Sequence, residues 1–253
     1  MWALAALLLA GTGAYATPAR PLVAVIDSGV AMTDELKPVL VGDYDFAAAT
    51  PRTAYHPRYD HGTLVATILN RAAHGQVGIV SFRIDDPAGC PTMLHPPCQA
   101  DGAPIVRAIR QAIAMKVAAI NISLALKDDP AITDAVRDAT AQGITVVLAA
   151  GNDGWDEPGN LDAAVAGYPR AVLVGALDAA GQPWAGTNRP QAHPARPYSY
   201  VWKRGVDVEG AGADGKPIWG TGTSFAAPVE AGQLFAPAGQ QMAGLSAAAT
   251  PLH

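Results

Sequence analysis

Leu22-Val23-Ala24-Val25-Ile26, closing on Asp27-Ser28-Gly29, is an unbroken apolar and β-branched run that ends in a turn. A strand buried on both faces reads this way, and such strands belong to parallel sheets covered by helices. The pattern repeats along the chain. Residues 78–84, 117–124, 144–150 and 171–176 read as further strands, the last three strongly apolar. Between them, residues 64–69, 105–116 and 131–141 carry apolar positions at helical spacing, the last stopped at Gly143. Strands alternating with helices predict an α/β fold, a three-layer, doubly wound, mainly parallel sheet with right-handed crossovers. Residues 42–59 and 182–199 are turn-rich or proline-rich and read as surface loops, and residues 237–253 as a short final helix with a frayed end.

In such sheets functional groups gather at the carboxyl ends of strands. Asp27 stands at one. Asp60-His61-Gly62-Thr63 opens a helical pattern, which puts His61 at a helix N-terminus, where the protonated imidazole is disfavoured. Gly220-Thr221-Gly222-Thr223-Ser224-Phe225-Ala226-Ala227-Pro228 turns from flexible glycines into a helix, placing Ser224 among unpaired backbone donors at the positive end of a helix dipole. A serine that attacks a carbonyl needs such donors for the charge that develops on oxygen. Each residue also has a plain reading, Asp27 as a turn former, His61 as a cap or surface residue and Ser224 as an N-cap. The three together are harder to explain that way.

Asp27-Ser28-Gly29, His61-Gly62-Thr63 and Gly222-Thr223-Ser224-Phe225-Ala226-Ala227-Pro228 occur in the order Asp, His, Ser. In these motifs and in that order the sequence resembles the subtilisin-like serine peptidases, over residues 22–232. The resemblance implies a subtilisin-like fold and a serine endopeptidase acting on polypeptides, with Ser224 as nucleophile, His61 as base and Asp27 orienting the imidazole. It also implies that Asn152, in Ala149-Ala150-Gly151-Asn152, supplies an oxyanion-hole amide. Ser123, Leu124 and Ala125, with Gly151, match segments that bind extended substrate. No organic cofactor is implied.

The chain departs from the family pattern in places. Ala125 stands where glycine is usual, Leu64 where a second histidine is usual, and Thr67 where a glycine follows. Glu230 falls in a helix that relatives pack with small apolar residues, so it is expected to be exposed, paired or protonated. The stretch before Leu22 is short for the pro-domain the family carries, so either the domain folds unaided, or a separate folding helper or inhibitor serves it, or it need not be held inactive. The acidic, Asn-bearing calcium loop of many relatives is not evident after the His61 helix. Calcium is left open, with no metal site assigned.

Residues 2–10 are apolar and are followed by small residues at 14 and 16, which fits a secretory signal over residues 1–16 and a single domain over residues 17–253. The apolar run is too short to span a bilayer, so no membrane span is expected after its removal. A chain exported in this way is secreted or periplasmic, where Cys90 and Cys98, in a proline-rich loop, favour a local disulfide. Zinc would have Cys90, His95 and Cys98 but no fourth ligand. With 50% hydrophobic and 15% charged residues and a net charge of −5 spread along the chain, there is no basic stripe, which argues against nucleic acid. Two rival functions remain: a catalytically inactive protein of this fold acting as a binding module, and an esterase. The esterase would need a Gly-x-Ser-x-Gly elbow, which Ser224 lacks.

Overall fold

The computed structural model describes residues 20–91, 97–126 and 128–238, so the secretory segment and most of the predicted final helix lie outside the described residues. The quoted run forms β1 (Leu22–Asp27). It is followed by β2 (Leu40–Asp45), α1 (His61–Ala72), β3 (Gly78–Arg83), α2 (Ala103–Ala114), β4 (Ala119–Ile122), α3 (Pro130–Ala141) and β5 (Thr145–Ala149). Then come α4 (Leu161–Ala166), β6 (Ala171–Leu177), β7 (Ser199–Arg204), β8 (Val208–Ala211), β9 (Pro217–Gly220) and α5 (Thr223–Gln233).

Seven strands form one sheet in the order β2-β3-β1-β4-β5-β6-β7, with every pairing parallel, and β8-β9 make a separate antiparallel hairpin. The two-residue period of a strand explains why β1 is apolar throughout. Ala24 and Ile26 enter one core with Ile109 of α2 and Val136 of α3. Val23 and Val25 enter the other, with Val65 and Leu69 of α1 and Ala227 and Ala231 of α5. Helices thus cover both faces, and β1 lies inside the sheet between β3 and β4, its carboxyl end against the start of α1. The predicted α/β architecture is the one observed.

The edges differ from expectation. Part of the predicted loop at residues 42–59 is β2, whose Leu-Val-Gly-Asp-Tyr-Asp sequence carries no apolar run. At the edge of the sheet β2 is only partly covered, with most of its residues exposed or half-buried, so it need not be apolar; Tyr44 packs on Phe82 of β3 with ring centroids 5.5 Å apart. At the other edge, β7 begins where the predicted 182–199 loop ends. Its Lys203 forms a 2.8 Å ion pair with Glu230 of α5, both side chains largely buried, so the anomalous carboxylate of α5 is paired. Cys90 and Cys98 form the expected disulfide, with Cα atoms 5.3 Å apart.

A buried ion network ties the loop after β2 to the end of β3. Arg52 donates to Asp45 (2.7 Å from Nε) and to both carboxylate oxygens of Asp85 (3.0 Å), while Arg83 Nε donates to Asp85 at 3.0 Å. Burial pushes the Asp45 carboxyl up, but its hydrogen bonds from Arg52 outweigh this and hold it at about 2. Its stabilising contribution is therefore present above the usual 3.8 and lost as pH falls toward 2. Asp85 is fully buried and Arg83 nearly so. Asp85→Ala leaves a buried guanidinium short of its carboxylate and is expected to lower unfolding free energy by about 3–5 kcal/mol, measurable by denaturant titration.

Candidate active site

The carboxyl end of β1 delivers Asp27, which is completely buried. One of its oxygens, Oδ1, accepts the Ser28 N–H at 2.7 Å. Nδ1 of His61, the first residue of α1, lies 2.8 Å from Oδ1 and 3.0 Å from Oδ2. A carboxylate offers only acceptors, so Nδ1 carries the proton and Nε2 is the free base. The residues after His61 make this closeness achievable. A Cβ on Gly62 would lie 2.3 Å from the Gly29 carbonyl oxygen, so α1 starts against the β1 turn only with glycine there. Gly62 N–H donates to Ser28 Oγ at 3.1 Å, and Ala31 N–H to Thr63 Oγ1 at 3.0 Å. Burial pushes the imidazole pKa down, yet the Asp27 charge and hydrogen bond outweigh it and raise the value above the usual 6.5. The sequence pointed to a base kept neutral by its helix N-terminus; the buried carboxylate beside it reverses the direction.

Ser224 is the second residue of α5, and its neighbour Phe225 packs on the His61 ring with centroids 5.4 Å apart. Its hydroxyl donates to the Ser123 carbonyl at 2.9 Å. Asn152 lies in the loop after β5, exposed at the surface. Its Oδ1 accepts from Thr223 N–H (2.8 Å) and from Thr223 Oγ1 (2.9 Å), which turns Nδ2 away; that amide has no protein acceptor among the described residues. Thr223 Oγ1 in turn accepts the Gly151 N–H at 3.1 Å. Sequence reading missed Thr223, although it adjoins Ser224. Gly222, before it, has φ +144°, and a Cβ there would meet Asn152 Nδ2 at 3.0 Å. Gly222→Ala is expected to displace that amide and, on the oxyanion role that the family resemblance implies for Asn152, to cut turnover at least about tenfold, read as kcat on a chromogenic peptide.

The remaining residues from the sequence divide. Ser123 presents its carbonyl to Ser224, Gly151 flanks Asn152, and Ala125 is exposed beside them. Leu124 points into the core, and its carbonyl accepts from Asn160 Nδ2 at 2.8 Å. Asn160 also donates to Ala149 O at 2.9 Å and accepts the Leu126 N–H at 2.7 Å, bridging the ends of β4 and β5. Cys90 and Cys98 lie in the loop after β3 and belong to none of these contacts. A charged groove of about 630 Å³ between α3 and α4 contains none of the site residues; its Arg137 pairs with Asp134 and its Arg196 with Asp162. Among the described residues, no group of three or more His, Cys, Asp or Glu is placed to hold a metal, and no helix is long and apolar enough to cross a membrane.

The sequence profile of the subtilase family matches residues 19–247. The chain belongs to the subtilase family. It is 33% identical over 161 residues to the minor extracellular protease Epr of Bacillus subtilis, covering 63% of this chain and 24% of that one. It is 31% identical over 189 residues to subtilisin-like protease 2 of Arthroderma otae, covering 73% of this chain and 42% of that one. This subtilase thus spans less than half the length of these curated relatives. Among solved structures, it is similar to a cold-adapted subtilisin-like serine proteinase (TM-score 0.66, 23% identity, 84% of this chain and 72% of that one). It is also similar to the self-cleaved protease domain of PatA (TM-score 0.64, 23% identity, 84% of this chain and 77% of that one). At those identities the structural likeness speaks for the subtilase fold alone.

Proposed function

We propose that the chain is a secreted serine endopeptidase that hydrolyses polypeptides through an acyl-enzyme on Ser224. The observation that carries this is the buried Asp27–His61 hydrogen bond, at the C-terminal edge of the sheet beside an α5 N-terminus bearing Ser224. Ser224 Oγ turns about its Cα–Cβ bond from the Ser123 carbonyl and gives its proton to His61 Nε2 as it attacks the scissile carbonyl. The carbonyl oxygen becomes an oxyanion held by the Asn152 amide and by the Ser224 N–H, which is in the first turn of α5 where backbone donors lack helical partners. His61 then protonates the leaving amine, giving the acyl-enzyme, and water attacks this ester by the same route in reverse. Asp27 holds the imidazole tautomer and stabilises the imidazolium. Ser123, Ala125 and Gly151 border the path of an extended substrate.

The disulfide and the subtilase relatives support secretion, with residues 17–253 as one peptidase domain released from residues 1–16. A separate helper or inhibitor belongs to the same proposal. One observation favours a second reading, an inactive binding module: the Ser224 hydroxyl is bonded to Ser123 and not to His61. Incubation with a reduced, unfolded polypeptide and with a nitrophenyl ester, followed by mass analysis, separates the readings. Endopeptidase action gives internal cleavage products that vanish with His61→Ala. Ester turnover without peptide cleavage, or neither, would contradict it.

A further inference from the structure

Asn152 lies in a loop with no regular structure, yet its donor has to be aimed to within a few tenths of an ångström to be useful. Thr223 fixes the side chain. The backbone on both sides of Asn152 is fixed by one other residue, Asn188, which is completely buried 35 positions along from Asp153. The Asn188 N–H donates to Gly151 O at 2.9 Å. Its Oδ1 accepts the Asp153 N–H at 2.8 Å and the Trp155 N–H at 3.3 Å, and its Nδ2 donates to Asp153 Oδ2 at 3.1 Å. A Cβ on Gly151 would lie 2.4 Å from Asn188 Nδ2, so the loop closes directly onto this side chain. Asn188 is itself anchored, since Tyr200 Oη of β7 donates to its carbonyl at 2.6 Å. A side chain that accepts two N–H groups and donates to a carboxylate at this reach is an asparagine; aspartate lacks the donor, and leucine lacks both.

We infer that Asn188 is the positioning residue of the oxyanion hole, locking residues 151 and 153 so that the Asn152 amide is aimed before substrate arrives. This rests on the peptidase reading above. Asn188 touches no reacting atom, and its effect passes through Asn152. The buried carbonyl–hydroxyl contact with Tyr200 extends the support from the sheet edge at β7 to the rim of the cleft.

The test is a set of variants in the full 253-residue chain, assayed for kcat and KM on a chromogenic peptide, with active sites counted by fluorophosphonate labelling. Asn188→Ala is expected to lower kcat per labelled site about 10- to 100-fold, with KM within about twofold, because the lost interaction matters where oxyanion charge develops. In an Asn152→Ala background the same change is expected to cost less than about threefold more, since the residue it positions is already gone. Asn188→Asp keeps the acceptor but sets two carboxylates against each other, and it too lowers kcat. Adding Asp153→Asn reverses donor and acceptor and is expected to restore kcat to within about threefold of the parent. This exchange decides the matter even where Asn188→Ala fails to fold. A purely structural role would lower the labelled fraction and the melting temperature, leave kcat per site unchanged, and add fully to Asn152→Ala; that overturns the inference. A parent protein that takes no label refutes the peptidase reading itself, and the positioning role falls with it.

Discussion

Ser224→Ala is expected to lower kcat for peptide hydrolysis about a millionfold, leaving only the thousandfold-scale acceleration that donors and binding supply without a nucleophile. The loss is this large because, in the proposed mechanism, Asp27, His61 and Ser224 act as one unit. With Oγ gone, the His61 base has no proton to take, and the Asn152 amide has no attack to assist. KM is expected to stay within a few fold, since no contact with the rest of the substrate is removed. The fold should be nearly untouched. The hydroxyl makes one hydrogen bond, to Ser123 O, and losing one such bond costs about 1 kcal/mol. Alanine is also a good helix former in α5. The measurement is kcat/KM on a chromogenic peptide beside a thermal melt. Activity within tenfold of the parent would place the nucleophile elsewhere.

Asp27→Asn has the second largest expected effect, about ten-thousandfold in kcat. The amide nearly matches the carboxylate in shape, so packing around this fully buried residue survives. The chemistry does not. Ser28 N–H occupies Oδ1, so the amide keeps its oxygen there and its nitrogen takes the place of Oδ2, 3.0 Å from His61 Nδ1. A donor facing Nδ1 forces the proton onto Nε2, and the imidazole no longer accepts from Ser224. The pH profile should move as well. In the parent, burial lowers and Asp27 raises the His61 pKa, with the net direction upward, so the acidic limb of activity lies above 6.5. Without the carboxylate only the downward push remains, and the residual activity should lose its acidic limb at lower pH than the parent. The same shift bears on stability: the pair contributes fully below 6.5 and loses its contribution as pH rises through the raised folded value. An acidic limb unmoved by the substitution would assign it to a group other than His61.

The sequence foretold the centre of this molecule better than its rim, for a physical reason. β1, β4 and β5 are buried on both faces and must be apolar, so they stand out as runs. β2 and β7 pair on one side only and carry Asp43, Asp45, Lys203 and Arg204, which erase the pattern. β8 and β9 are four-residue strands of a hairpin, shorter than any period can reveal. At the candidate site, Asp27, His61 and Ser224 were legible as candidates because each sits in a motif whose neighbours are also constrained, as Gly62 is by the Gly29 carbonyl. Thr223 and Asn188 were not. Their roles consist of hydrogen bonds to residues 71 and 35 positions away, which no local pattern records. The direction of the His61 pKa was missed for the same reason, because the deciding charge lies 34 positions earlier in the chain.

The most direct measurement is intact-mass analysis of the purified protein after treatment with a fluorophosphonate, beside the Ser224→Ala variant. The account predicts one adduct per molecule on the parent and none on the variant, because only an activated serine among oxyanion donors reacts this way. A folded parent that takes no adduct, or a variant that takes the same adduct, would contradict it.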